Sequence, residues 1–239
     1  MPQRDAVPLY KTRHAAFVKA AQEVDRPVKS VSGLLGIGSG GRPDTICHTY
    51  KDWFEYEGDS LYYVIPGSDL CRKGGNTDPC GDCNNLGHEE YEPKTPAGAG
   101  RRILLTNHWH NPVTGEEEYL GLRDAVESYF ALDGPYAPDD VQHGHDMLYC
   151  RGSAGISKGT YSKWIRDIGA ISSMRAGRRR TTLVNQLDIE DVDPDDPDKR
   201  DLKQIKHRGT DADGNSIPDI FGHDMRACYI TQLMRNDVS

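Results

Sequence analysis

The chain has 239 residues, with 29 Lys and Arg against 37 Asp and Glu for a net charge of −8, and 36% of it is hydrophobic. That length suits one large domain with a real core, and no run approaches the roughly 18 apolar residues of a membrane span. Met1 to Tyr10 lacks the apolar block of a signal peptide, so no membrane association and a cytoplasmic location are expected.

The acidic balance argues against a nucleic-acid partner, because phosphate neutralisation supplies most of such affinity. Two features weaken that objection. Arg outnumbers Lys by 18 to 11, and much of the acid is concentrated in Asp188 to Asp201, DIEDVDPDDPDKRD. An acidic, lysine-poor surface is what a salt-loaded cytoplasm favours, and there net charge reports the solvent more than the partner.

In chain order, Thr12 is placed to cap a helix on Ala16, Phe17, Ala20, Ala21 and Val24, ending before Pro27. A second helix is predicted from about Val28 to Ile37, closed by the glycines of GIGSGGRP. WFEYEG and SLYYVIP, rich in aromatic and β-branched residues and meeting at Gly58-Asp59, predict a β-hairpin. RRILLTN, from Arg101, predicts a third strand. Between them Gly67 to Gly100 reads as an insertion without periodicity, dense in Gly, Pro, Asn, Asp and Cys, which needs a staple.

Further on, Glu116 to Leu132 is predicted as an amphipathic helix on Tyr119, Leu122, Val126 and Phe130, and Ser157 to Ile171 as another on Tyr161, Trp164, Ile165 and Ile168. After the acidic linker, a hairpin-like HRGTDADGNSIPDI leads to a last helix, whose apolar face is read as Ala227, Ile230, Leu233 and Met234. The expected class is α+β, mostly helical, with a small three-stranded antiparallel sheet and an inserted Cys-bearing loop. The domain reading is a single unit over 1–239, incomplete at its C-terminus, with 67–100 as the insertion.

In the insertion, Cys71, Cys80, Cys83 and His88 are spaced C-x8-C-x2-C-x4-H. A CxxC pair with two further soft ligands can close a tetrahedral zinc site, and a loop poor in apolar residues would gain its fold from the metal. The alternative is a set of free or disulfide-prone cysteines in an unstructured loop, although a cytosolic setting disfavours disulfides. Cys47, Cys150 and Cys228 sit in apolar or helical surroundings and are read as core.

His108 and His110 in NHWHN, and His143, His145 and Asp146 in HGHD, invite a metal-hydrolase reading, but their spacing does not supply its ligand set. DADGN places its glycine too early for a calcium loop and reads as a turn. Arg175 to Arg180, RAGRRR, is either a solvated helix end or a contact for DNA phosphates.

His223-Asp224-Met225-Arg226 opens the last helix, and a histidine and an arginine three apart on a helix share a face and can reach one phosphate. The plain alternative is a helix start with Asp224 in its first turn. HDMR, however, resembles the HxLR box of tyrosine-type site-specific DNA recombinases, or integrases, and further landmarks precede it in order. Arg42, in GSGGRPDTICHTY, matches the family's first catalytic arginine after a Gly-rich turn. Lys94, in EPKTPAGAGRRILL, matches the lysine of its β-hairpin turn, and WFEYEG, LYYVIP and RRILL match its sheet. The similarity covers Tyr10 to Ser239 and is greatest to integrases of haloarchaea and their viruses.

The resemblance implies the tyrosine-recombinase catalytic-domain fold, double-stranded DNA as partner, a homo-oligomer on that DNA, and strand cleavage through a 3′-phosphotyrosyl intermediate with no cofactor for catalysis. Arg42 and Arg226 would clamp the phosphate, since permanently charged guanidiniums give fixed, bidentate donors to its oxygens. Lys94 would protonate the departing 5′ oxygen, and His223 would contact the same phosphate. The sequence departs from the family in two places. Thr45 stands where a carboxylate commonly orients the first arginine, and no tyrosine falls in the nucleophile's context before Ser239. The chain is therefore expected to be cut off before its nucleophile and inactive in cleavage. The alternatives are a non-catalytic DNA-binding or regulatory remnant of an integrase, and a zinc-stabilised interaction module.

Overall fold

Helix α2, Pro27–Ser39, organises the molecule because nearly all of it is buried, Val28, Val31, Leu34, Leu35 and Ile37 together with Ser32, Gly33, Gly36 and Ser39. A helix apolar on all sides must be covered on all sides. In the computed structural model, which describes residues 11–74, 78–85, 87, 89–111, 113–132, 144–151, 154–175 and 222–235, it is packed by α1 (Lys11–Gln22), α5 (Leu122–Phe130), α6 (Lys158–Arg175) and α7 (Gly222–Arg235). Gly33 is needed for the approach of α6, since a Cβ there would lie 2.8 Å from Ile168 Cδ1.

Pro27 begins α2 with a ring that costs no intrahelical hydrogen bond, and Gly40 ends it at φ 60° and ψ 24°, the left-handed cap that glycine favours. The side chain of Tyr229 fills the space a Cβ at Gly40 would need. Gly40→Ala combines left-handed strain with overpacking. It is expected to cost about 2–4 kcal/mol, read as a lowered Tm in thermal denaturation.

The sheet has the order β1-β2-β5, all antiparallel, with β1 at Phe54–Glu57, β2 at Ser60–Ile65 and β5 at Arg101–Leu105. The hairpin turns at Gly58, φ 56°, with Glu57 opposite Ser60, and β5 pairs β2 from Leu61↔Leu105 to Ile65↔Arg101. Leu61, Tyr63 and Ile65 of β2 and Ile103 and Leu105 of β5 are buried, as a period-two pattern requires.

The connection from β2 to β5 carries a two-stranded ribbon, β3 (Asp69–Leu70) with β4 (Glu90–Tyr91), and a one-turn helix α4 (Gly81–Asn85). Neither was expected from a segment without periodicity. Further out are β6 (His108–His110) paired with β7 (Glu117–Tyr119), and β8 (Tyr149–Arg151) paired with β9 (Ala154–Gly155). Finally α3, Pro43–Cys47, leads from the cap of α2 into the sheet.

Several expectations need correction. Thr12 lies inside α1 and does not cap it. The helix expected from Glu116 begins at Leu122, because Glu117–Tyr119 pairs with β6 and Gly121, at φ 67°, turns the chain; Tyr119 is exposed. Among the described side chains of α7, Met225 and Cys228 are buried in the core whereas Ile230 is exposed, and the side chains of Leu233 and Met234 lie outside the described residues. Cys47 is buried in the core as expected, its thiol pushed up to about 12 mainly by burial. Met1 to Tyr10, the acidic linker, HRGTDADGNSIPDI and the side chains of Cys150 and the RAGRRR run lie outside the described residues.

Candidate functional site

Two clusters draw on α3 and its two caps, Arg42 and His48. The first gathers His48, Cys71, Cys80 and Cys83, all buried, with their four ligand atoms within 4.8 Å of one another. His48 Nε2 lies 3.5 Å from Cys80 Sγ and 3.6 Å from Cys83 Sγ. Tetrahedral zinc with ordinary Zn–N and Zn–S bonds separates a nitrogen from a sulfur by roughly 3.5 Å, so these side chains already stand at ligand spacing.

The surroundings favour ligation. His48 Nδ1 is 2.8 Å from the Asp44 carbonyl oxygen, which can only accept, so Nδ1 is a donor there and Nε2 is the nitrogen turned to the sulfurs, able to donate to a thiolate or, without its proton, to ligate a metal. Burial opposes ionisation of the Cys71 thiol, but donation from the Cys80 and Lys73 backbone N–H groups and from the Cys83 and Cys80 thiols outweighs it and holds Cys71 below its ordinary value. At Cys80, burial is likewise outweighed, first by the hydrogen bond to His48, then by the Cys83 backbone and the Lys73 charge. Cys83 is pushed well up, by burial first and then by its two thiol neighbours. Three sulfurs this close resist ionising together unless a cation joins them.

Three expected ligands, Cys71, Cys80 and Cys83, are therefore brought together. The fourth member of the cluster is His48, while the expected His88 lies outside the described residues. His48 was missed because it caps the C-terminal end of α3, before the hairpin, more than twenty residues from the first of the cysteines of the loop. The sequence signal available was a histidine next to a cysteine in TICHTY.

The second cluster is a pocket lined by Arg42, Thr45, Lys94, Arg101 and Arg226, with Ile65, Pro93, Thr95 and Gly98. Arg42 is the residue before α3, Lys94 follows β4 in the connection from β2 to β5, and Arg226 lies on the first turns of α7. Arg226 Nη1 donates to the Gly40 carbonyl at 2.9 Å, one of the groups α2 leaves unpaired at its end. None of the described residues lining the pocket is a carboxylate. Burial first, then the charges of Arg101 and Arg42, hold the Arg226 guanidinium below its ordinary range. Such uncompensated cations are the environment an anion relieves.

Of the expected catalytic residues, Arg42, Lys94 and Arg226 thus share one concavity. His223 lies on α7 one turn before Arg226, and its side chain is outside the described residues. Thr45, which replaces the carboxylate implied by the resemblance, accepts a hydrogen bond from Tyr91 at 2.9 Å and forms part of the wall.

Comparison with known proteins finds no matching family model, no matching curated protein and no matching solved structure. Function therefore has to be argued from these two clusters.

Tyr91 joins them. Its ring stacks on His48 at 4.4 Å and 23°, its hydroxyl bonds Thr45, and Pro93 and Lys94 of the pocket come two and three residues after it. Lys158 adds a second tie, pairing with Asp44 of α3 at 3.0 Å and Asp82 of α4 at 3.3 Å. The loop carrying the three cysteines and the strand leading to Lys94 are thereby fastened to the helix that follows Arg42. His108 and His110, on β6, and His145, stacked on Tyr129 at 4.5 Å, take no part in either cluster. No helix among the described residues is long and apolar enough to cross a membrane.

Proposed function

We propose that the cationic pocket binds a phosphodiester of double-stranded DNA, and that the chain supplies the phosphate-binding part of a tyrosine-type site-specific recombinase. The observation that carries this is the convergence of Arg42, Lys94 and Arg226, far apart in sequence, on one pocket whose described lining includes no carboxylate. Attack at phosphorus loads charge onto the non-bridging oxygens, and fixed guanidiniums aimed there stabilise it. Arg42 and Arg226 are the clamp, Lys94 the proton donor to the leaving 5′ oxygen, and His223, on the same helix as Arg226, assists at the phosphate. As the resemblance implies, the chain would act on DNA as an oligomer. The Cys and His cluster holds a structural zinc, which takes no part in this chemistry and orders the segment from Cys71 to Lys94.

A second reading has its own support. Among the described residues that line the pocket none is a tyrosine, and a DNA-binding remnant that grips phosphate without cutting fits that lining.

Duplex binding followed by fluorescence anisotropy tests the common part. Affinity is expected to fall steeply with salt, since each phosphate contact releases counterions, and Arg42→Ala to weaken it. Salt-independent binding, or none at low salt, would overturn the proposal. Saturating inorganic phosphate is also expected to raise Tm of the wild type by binding the folded state alone, and to leave an Arg42→Ala, Arg226→Ala double variant unchanged.

A further inference from the structure

Adjacent residues Arg101 and Arg102 at the start of β5 have opposite fates. Arg102 points to the outer face of the sheet, stacks over Tyr62 at 3.7 Å and pairs with Glu57 at 2.7 Å. Its charge is satisfied. Arg101, one pleat earlier, points to the inner side beside Ile65 and lines the pocket, where its polar contact is to the Ser39 carbonyl at 3.4 Å. No carboxylate pairs with it among the described residues, although it is half-buried.

Arg101 and Arg226 approach neighbouring carbonyls, Ser39 and Gly40, at the end of α2. That helix end carries partial negative charge, and it fixes two guanidiniums side by side at the pocket. Of the two arginines acting on Arg226, Arg101 has the larger effect, ahead of Arg42.

Resting on the reading of this pocket as a phosphodiester site, we infer that Arg101 is a third binding arginine, contacting the DNA phosphate held by Arg42 and Arg226 from the sheet side. A strand position suits this role. Backbone pairing to Ile65 fixes where the side chain starts, so less conformational freedom is lost when the fork meets its oxygens. A structural arginine would have a carboxylate, as Arg102 does, whereas a guanidinium held among like charges loses stability that only a bound anion restores.

The test compares Arg101→Gln with Arg102→Gln, Arg42→Gln and Arg226→Gln in anisotropy titrations of the whole chain against one labelled duplex over a series of salt concentrations. Arg101→Gln is expected to lower the slope of log affinity on log salt by about one, the value for one lost phosphate contact, and to weaken low-salt binding about tenfold, the size of one charge-assisted contact. Arg102→Gln is expected to leave the slope unchanged, and Arg101→Lys to restore most of it. Tm of Arg101→Gln should equal or exceed that of the wild type, because a repulsion has been removed. If Arg101→Gln behaves as Arg102→Gln while Arg42→Gln and Arg226→Gln lose slope, the role of Arg101 is overturned and the pocket stands. If none of the three pocket variants loses slope, the phosphodiester reading fails as well. A Tm several degrees lower for Arg101→Gln, with binding not recovered by Lys, would make the residue structural and also overturn the inference.

Discussion

His48→Ala is expected to abolish a stoichiometric zinc and to lower Tm by on the order of 10 °C, whereas His88→Ala is expected to leave both unchanged. The insertion, 67–100, has little else to hold it. Of its described residues, Cys71, Cys80, Cys83, Tyr91 and Lys73 are buried, and three of these five are cysteines. Few apolar contacts remain to offset the conformational entropy of ordering the loop, and a structural metal contributes folding free energy outright. Losing one ligand of four also leaves buried thiols without a cation. A loss of a few kcal/mol in a chain of this size corresponds to roughly that Tm change, at about 2–4 °C per kcal/mol. Zinc measured by elemental analysis and Tm by calorimetry decide the matter. One zinc per chain retained in His48→Ala, or lost in His88→Ala, would remove His48 from the ligand set.

Chelation carries a further consequence, because Tyr91 touches both clusters. If zinc holds the loop to α3, stripping it with a strong chelator frees Tyr91 from its stack on His48 and withdraws Pro93 and Lys94 from Arg42. Duplex affinity is then expected to fall along with Tm, and to return on adding zinc. Affinity unaffected by complete zinc removal would separate the two clusters.

Much of the scaffold was legible because its signals are local. The all-apolar α2 with proline at one end and glycine at the other, the hairpin around Gly58-Asp59 and the strand of RRILL each declare themselves within a dozen residues. Glu117–Tyr119 misled because it continues the helical spacing of α5, while its pairing with His108–His110 is a non-local event. At the sites, residue type was readable and partnership was not. The three cysteines share a loop and so share a spacing. His48 joins them only because α3 folds back against that loop, and no interval in the sequence encodes this. Arg101 read as part of a strand, and its separation from Arg102 appears only once the pleat assigns them opposite faces.

Arg226→Ala is expected to weaken duplex binding by roughly 10- to 100-fold at low salt, the effect of losing a charge-assisted fork of about 1.5–3 kcal/mol. Arg226 is suited to an effect of this size because it is half-buried, anchored to Gly40 and surrounded by like charge, so that a bound phosphate compensates several unfavourable terms at once. Binding is nevertheless expected without cutting. Arg, His and Lys lower the barrier only after something attacks phosphorus, and none of the described residues lining the pocket is a tyrosine. Tyr91, bonded to Thr45 of the wall, is buried, already donates there, and has its pKa raised to about 12 chiefly by burial; Tyr229, packed against Gly40, also has its pKa raised by burial. Incubation of the 239-residue chain with a nicked duplex that traps 3′-phosphotyrosyl products is therefore expected to give no covalent adduct on a denaturing gel. In a longer chain that supplied a tyrosine to this pocket, Arg226→Ala would cost on the order of 10²-fold or more in cleavage, as the loss of one transition-state donor does elsewhere. An adduct from the 239-residue chain, mapped by mass spectrometry to one of its own twelve tyrosines, would overturn the expectation and make the chain a complete nuclease-ligase in its own right.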